Sequence, residues 1–224
     1  MHTQAGNRTA VKICGLTSLK DARFAAGALA DYLGFIFFED SPRYIEPSKA
    51  GAIINWIEGP QTVGVFVNQP LDDVNMLSRQ TGIGMVQLHG TESADYCQLI
   101  EKPVIKAFHI GNNSTPDEIN KQTEPYLNHA DYFLFDTRSK SLWGGTGETF
   151  DWELLKNLSR GKPFFLSGGL NSGNVRNACR SVRPFSLDLS SGVEKVPGVK
   201  DFDKVEELFD VMRDVWELQE SGNL

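Results

Sequence analysis

The sequence predicts an α/β fold, a (β/α)8 TIM barrel in a single domain over residues 1–224, and three observations carry that prediction. Short runs rich in β-branched and aromatic residues alternate with helically spaced segments along the whole chain, the order expected of parallel βαβ units. Polar and glycine residues gather directly after those runs, at the strand ends that converge on one face of a barrel. The length of 224 residues, 40% of them hydrophobic, is near the usual size of one barrel and suffices for a sizeable core.

The predicted strands cover residues 11–14, 33–38, 63–67, 85–89, 104–108, 132–136, 164–167 and 185–189. Most read as continuous apolar runs, as strands buried on both faces do. Each is paired with a helical segment. Ser18 precedes one over residues 21–30, Pro47 opens one around 52–56, and Asp72 stands near the start of another that runs to Gln80. In the last helix Val205, Leu208, Phe209, Met212, Val215 and Trp216 fall on one face at three- and four-residue steps, with Glu206, Glu207, Asp210, Arg213 and Asp214 opposite. That stripe reads as packing against the barrel wall. Eight strand–helix pairs also suit an open doubly wound sheet. The polar clusters decide for the barrel, because Cys14-Gly15, Arg43, His89-Gly90, Asp136-Thr137, Ser167-Gly168-Gly169 and Asp188-Leu189-Ser190-Ser191-Gly192 all follow strands.

A formal net charge of −7 and a pI near 5.1, with no basic run, argue against nucleic acid and anionic membranes as partners. A small anion is still compatible, since backbone N–H groups at helix N-termini bind one whatever the net charge. The N-terminal residues are polar, and no apolar stretch approaches membrane-spanning length. Three widely spaced cysteines form neither a disulfide framework nor a zinc pattern, so a reducing cytoplasm is expected. Cys97 and Cys179 read as small buried hydrophobes on helices, whereas Cys14 stands at a strand end before Gly15.

Ser167-Gly168-Gly169 and Ser190-Ser191-Gly192 are strand-to-glycine turns at the ends of the last two strands. Lacking Cβ atoms, such glycines let backbone N–H groups approach a phosphate, and serine hydroxyls add donors. Either loop alone reads equally as a tight turn. Together, at adjacent strand ends where barrels frequently hold phosphate, they predict a phosphorylated small-molecule substrate. A helix is expected to start near Ser172 after the first loop, and the final helical region to follow the second. A third cluster, Gly144-Gly145-Thr146-Gly147, is neither a Walker loop nor a dinucleotide fingerprint and reads as a flap over the substrate.

These residues, with the rest of the strand-end series, resemble the phosphoribosylanthranilate isomerase family of tryptophan biosynthesis. The matching segments are Val11-Lys12-Ile13-Cys14-Gly15, Ser41-Pro42-Arg43-Tyr44-Ile45, Gly64-Val65-Phe66-Val67-Asn68, Val86-Gln87-Leu88-His89-Gly90, Phe135-Asp136-Thr137, the third glycine cluster with Thr149-Phe150-Asp151-Trp152, Leu166-Ser167-Gly168-Gly169-Leu170 and Asp188-Leu189-Ser190-Ser191-Gly192-Val193-Glu194. The resemblance implies an Amadori rearrangement of N-(5-phosphoribosyl)anthranilate to 1-(2-carboxyphenylamino)-1-deoxyribulose 5-phosphate, without metal or organic cofactor; the chain itself is expected to be a monomer or homodimer. It implies Cys14 as general base, Asp136 as general acid and Arg43 as partner of the anthranilate carboxylate. Gly168, Gly169, Ser190, Ser191 and Gly192 would hold the phosphate, and His89 and Asp188 would line the pocket.

By themselves Arg43 could be a solvated charge, Asp136 a helix cap and His89 a core histidine. Leu189 and Glu148 depart from the family pattern; Leu189 is expected to face the wall between strands. Other sugar-phosphate barrels compete: a metal-dependent pentose-phosphate epimerase, though His2, His109 and His129 are poorly positioned ligands, and the histidine-pathway isomerase, expected to carry aspartate where Cys14 stands. A non-catalytic phosphate-binding barrel is the third alternative.

Overall fold

The computed structural model describes residues 8–111, 113–137, 150–156 and 162–224. Strands β1 (Ala10–Ile13), β2 (Tyr32–Ile36), β3 (Gln61–Phe66), β4 (Met85–Leu88), β5 (Val104–Ile110), β6 (Tyr132–Thr137), β7 (Phe164–Leu166) and β8 (Ser186–Leu189) form a closed parallel barrel in sequence order. β8 pairs back onto β1, with Lys12 in register with Asp188. Around the barrel lie α1 (Leu19–Gly27), α2 (Pro47–Ile54), α3 (Leu71–Thr81), α4 (Ala94–Gln98), α5 (Pro116–Thr123), α6 (Val175–Val182) and α7 (Phe202–Glu220).

Local chemistry accounts for the helix starts. Ser18 accepts from Asp21 N at 3.1 Å, Pro47 occupies the first turn of α2, and Thr115 and Glu118 close a reciprocal capping box on α5. The apolar stripe of α7 packs as its periodicity predicts, burying Val205, Leu208, Phe209, Met212 and Val215. Trp216 at its edge donates from Nε1 to Thr9 O at 2.8 Å. Cys97 and Cys179 are buried on α4 and α6, and Leu189 is buried in the wall. No helix among the described residues is long and apolar enough to cross a membrane.

One expectation is corrected, and two connections carry elements that the periodicity did not register. In the connection after β6 the described residues hold a 3-10 helix, Trp152–Leu155, as the helical segment paired with that strand. After β7 the helix begins at Val175 and not near Ser172, because Asn171 and Asn174 hold the intervening chain in turns through Gly173 N to Asn171 Oδ1 and Asn171 N to Asn174 Oδ1, both 2.9 Å. After β8 a 3-10 turn (Ser191–Val193) leads into a small antiparallel hairpin, β9 (Glu194–Val196) and β10 (Val199–Lys200), before α7.

Alternation along the strands divides the core. One set of side chains, including Val11, Ile13, Leu33, Phe35, Phe66, Leu88 and Leu187, meets the helices. The other fills the barrel interior with Val63, Met85, Ile105, Ala107, Leu134 and Phe165, bordered by Tyr32, Tyr132 and Phe185. Phe165 is fully buried, with ring centroids 5.3 Å from Tyr32 and 5.7 Å from Tyr132. Phe165→Ala is expected to cost about 3–5 kcal/mol, because so closed a site cannot collapse onto the void. Urea unfolding measures this as a lower midpoint at unchanged slope.

Candidate active site

Side chains two apart on a strand share a face. Lys12 on β1 and Cys14 just beyond it, Gln87 on β4 and His89 just beyond it, His109 on β5, Asp136 on β6 and Asp188 on β8 thus form columns leading to the C-terminal mouth of the barrel. Lys12 is fully buried; its Nζ donates to Asp188 Oδ1 at 2.9 Å and reaches across the interior to Gln87 Oε1 at 2.8 Å. The other amide atom, Gln87 Nε2, lies 2.9 Å from His89 Nδ1, and His89 Nε2 lies 3.4 Å from Asp136 Oδ2. A chain of polar contacts therefore connects Asp188, Lys12, Gln87, His89 and Asp136.

Burial works against the Lys12 charge, but Asp188 and Cys14 outweigh it and raise the ammonium above its ordinary range. Burial also pushes the Cys14 thiol up, with Asp188 adding to the rise and Lys12 and Lys200 opposing it. On the helices, burial drives Cys97 up to about 11 and Cys179 up to about 12, so both stay as inert thiols. Gly34 gives Cys14 room, since a Cβ there would stand 2.6 Å from the sulfur.

Arg43 is buried, not a surface charge. Its Nε donates to Glu194 Oε1 at 3.0 Å and its Nη2 to Glu194 Oε2 at 2.7 Å. Glu194 also receives Lys200 Nζ at 2.8 Å, and the same ammonium donates to the Cys14 carbonyl at 2.6 Å. The β9–β10 hairpin thereby fixes the end of β1 and aims Arg43 with a bidentate clamp. Gly15, at φ 76°, lies against Arg43 so closely that a Cβ would be 2.6 Å from Cδ.

The two glycine-serine loops are adjacent, as the sequence predicts. Gly168 and Gly169 have φ of 90° and 65°, and a Cβ on Gly168 would meet Thr137 Oγ1 at 2.2 Å. Gly192 abuts the other loop; its Cβ would stand 1.9 Å from Leu170 O. Among the described residues no hydrogen bond claims the N–H groups of Gly168, Gly169, Ser191 or Gly192. Such an arrangement can cradle an anion. The third glycine cluster and Glu148 lie outside the described residues.

Sequence reasoning missed several residues that build this mouth. Lys12 and Gln87 each interrupt an apolar strand two positions before a candidate residue, which was a usable signal. Glu194, although it closes a segment that resembles the family, and Lys200 gave no sign of their role, because their partners Arg43 and Cys14 are more than a hundred residues away in sequence. His109, dismissed by position, donates from Nε2 to His89 O at 3.2 Å and packs edge-on against the His89 ring.

Polar groups converging on the C-terminal ends of eight parallel strands define a (β/α)8-barrel enzyme. The family described as N-(5'-phosphoribosyl)anthranilate (PRA) isomerase matches residues 11–211. The N-(5'-phosphoribosyl)anthranilate isomerase of Trichlorobacter lovleyi is 47% identical over 203 residues, covering 88% of this chain and 94% of that protein. The crystal structure of phosphoribosyl anthranilate isomerase from Thermotoga maritima superposes with a TM-score of 0.84 at 37% identity, covering 92% of this chain and 99% of that one. A phosphoribosyl anthranilate isomerase crystallised with reduced 1-(o-carboxyphenylamino)-1-deoxyribulose 5-phosphate superposes at 0.80 with 35% identity, covering 92% and 99%. This chain belongs to the N-(5'-phosphoribosyl)anthranilate isomerase family, and it is an isomerase.

The Glu194 clamp has a consequence for acid stability. Burial alone would raise the Glu194 pKa, but hydrogen bonds from Arg43 and the charge of Lys200 outweigh it and leave the carboxyl below its ordinary range. A depressed folded pKa stabilises the fold above the unfolded value of about 4.3 and loses that contribution as pH falls through the lower folded value. Urea midpoints followed downward from about pH 5 are expected to fall more steeply in the wild type than in Glu194→Gln. Parallel curves would show that the clamp adds no linked stability.

Proposed function

We propose that the chain catalyses the Amadori rearrangement of N-(5-phosphoribosyl)anthranilate to 1-(2-carboxyphenylamino)-1-deoxyribulose 5-phosphate, a step of tryptophan biosynthesis. The observation that carries this reading is a thiol and a carboxyl, Cys14 and Asp136, at strand ends on different sides of one barrel mouth, beside two adjoining glycine-serine loops. Family membership supports it, as does the product-like ligand of the related crystal structure.

Asp136, as general acid, gives its proton to the ribose ring oxygen. The anilino nitrogen pushes the ring open, leaving an iminium at C1′. Cys14, as thiolate, removes the proton from C2′, and the C–H electron pair forms the enolamine double bond while neutralising the iminium. Tautomerisation delivers the ketone. The sequence is redox-neutral and calls only for an acid and a base. Lys12 and Lys200 supply positive charge next to the thiolate. Arg43, already gripped along one edge by Glu194, keeps Nη1 for the anthranilate carboxylate. The backbone N–H groups of Gly168, Gly169, Ser191 and Gly192, with the Ser190 hydroxyl, hold the phosphate, and His89 and Asp188 line the pocket between.

Purified protein is expected to convert freshly made phosphoribosylanthranilate without added metal, followed as loss of anthranilate-type fluorescence. A signal that stays flat where a control isomerase works would sink the assignment. Asp136→Asn should lower kcat by roughly 10²–10⁴ while leaving inorganic phosphate binding intact; near-normal turnover would take Asp136 out of the acid role. The thiolate fraction grows with pH, and burial with Asp188 moves the Cys14 thiol up against the pull of Lys12 and Lys200. The rising limb of kcat/KM should therefore lie on the alkaline side of a free thiol, and a limb below neutrality would remove Cys14 as the base of the free enzyme.

A further inference from the structure

His89, His109 and Asp136 each offer one ligand atom, and these atoms lie within 4.8 Å of one another. Two imidazoles and a carboxylate are a familiar donor set for a divalent transition metal. The surroundings of the cluster argue for a different use.

For His89 to ligate a metal through Nε2, its proton must sit on Nδ1, and a metal-bound histidine almost always donates that second N–H to an acceptor. Behind Nδ1 stands the Gln87 amide, 2.9 Å away. Which end of the amide faces the ring is decided on its far side. Lys12 Nζ lies 2.8 Å from the other amide atom, and an ammonium only donates, so that atom is the oxygen. The amide therefore presents its NH2 group to His89. An NH2 group is only a donor here, so Nδ1 accepts and the ring carries its proton on Nε2. Turning Gln87 over would set NH2 against NH3+ in the interior, and Lys12 cannot yield because Asp188 holds it at 2.9 Å.

We propose that Gln87, oriented by Lys12, is a positioning residue that fixes the His89 proton on Nε2, toward Asp136, and so makes the His89–His109–Asp136 cluster a proton site that rejects cations. The tautomer follows from the hydrogen bonds alone; its catalytic consequence rests on the acid role proposed for Asp136. The Nε2–H group faces Asp136 Oδ2 at 3.4 Å, an electrostatic contact longer than a hydrogen bond, so Oδ1 is left to carry the proton delivered to the substrate. Once the proton has left, the same N–H stabilises the carboxylate. His109 cannot replace His89, because its Nε2–H is already given to the His89 carbonyl at 3.2 Å.

The test exchanges the donor for an acceptor. In Gln87→Glu a carboxylate can accept from both Lys12 and Nδ1–H, so the His89 proton should move to Nδ1 and bare Nε2. Histidine ¹⁵N NMR of the wild type is expected to show His89 with Nδ1 unprotonated, and of Gln87→Glu with Nε2 unprotonated. Titration with Co2+ should leave the wild type without a visible d–d band, while Gln87→Glu gains a saturable one that Asp136→Asn, added to it, removes. Turnover of Gln87→Glu without metal should fall roughly 10²-fold in kcat with KM little changed. A wild-type His89 with bare Nε2, a cobalt band in the wild type, or an unmoved proton in Gln87→Glu would each overturn the inference. Should Gln87→Glu not fold, Gln87→Met removes the amide without adding charge; it should give mixed His89 tautomers, and a single Nε2–H form there would overturn the inference equally. The NMR and cobalt readouts need no turnover, so they fail separately from the Asp136→Asn test of the acid role.

Discussion

The buried ammonium of Lys12 is the constraint around which the barrel mouth is arranged. A charge taken fully out of water is tolerated only where its donors are satisfied, and Lys12 meets that condition through Asp188 on the neighbouring strand and Gln87 across the interior. Removing one member of such a pair costs about 3–5 kcal/mol, since the other is left charged and dry. What this arrangement secures is orientation: Asp188 holds Lys12, Lys12 holds the Gln87 amide, and the amide holds the His89 ring beside Asp136. The same ammonium lies near the Cys14 sulfur, so one charge serves both sides of the proposed acid–base pair.

A second set of contacts supports the other end of the site. The β9–β10 hairpin contributes Glu194 and Lys200, which lock Arg43 and the end of β1, and it follows directly on the Ser190-Ser191-Gly192 turn. The close approach of Gly192 to the Leu170 carbonyl joins that turn to the loop after β7. Arg43, Cys14 and the two glycine-serine loops are therefore mechanically connected through backbone contacts and buried ion pairs, which are stiffer than exposed ones.

Much of this was legible beforehand. Apolar runs at regular intervals marked all eight strands to within a few residues, and the α7 stripe gave its buried face position by position. The candidate residues fell at strand ends, and parallel closure gathered them as expected. What the sequence did not show shares one origin. The Asn171–Asn174 turns, the 3-10 turn after β6 and the β9–β10 hairpin are short pieces whose form is set by side-chain hydrogen bonds and by neighbours remote in the chain, which a hydrophobic period does not register.

The sequence by itself determined the barrel, the mouth at which its polar residues meet, and the identity of the thiol, carboxyl, arginine and glycine loops there, because strand period and strand-end position are local properties. Only the tertiary structure decided how those groups are held. Lys12 finds Gln87 across 75 positions and Arg43 finds Glu194 across 151, and such partners become neighbours only when the sheet closes. The direction of the Gln87 amide, the proton on His89 and the depressed Glu194 carboxyl all follow from that closure. Each depends on which donor faces which acceptor in a space without water.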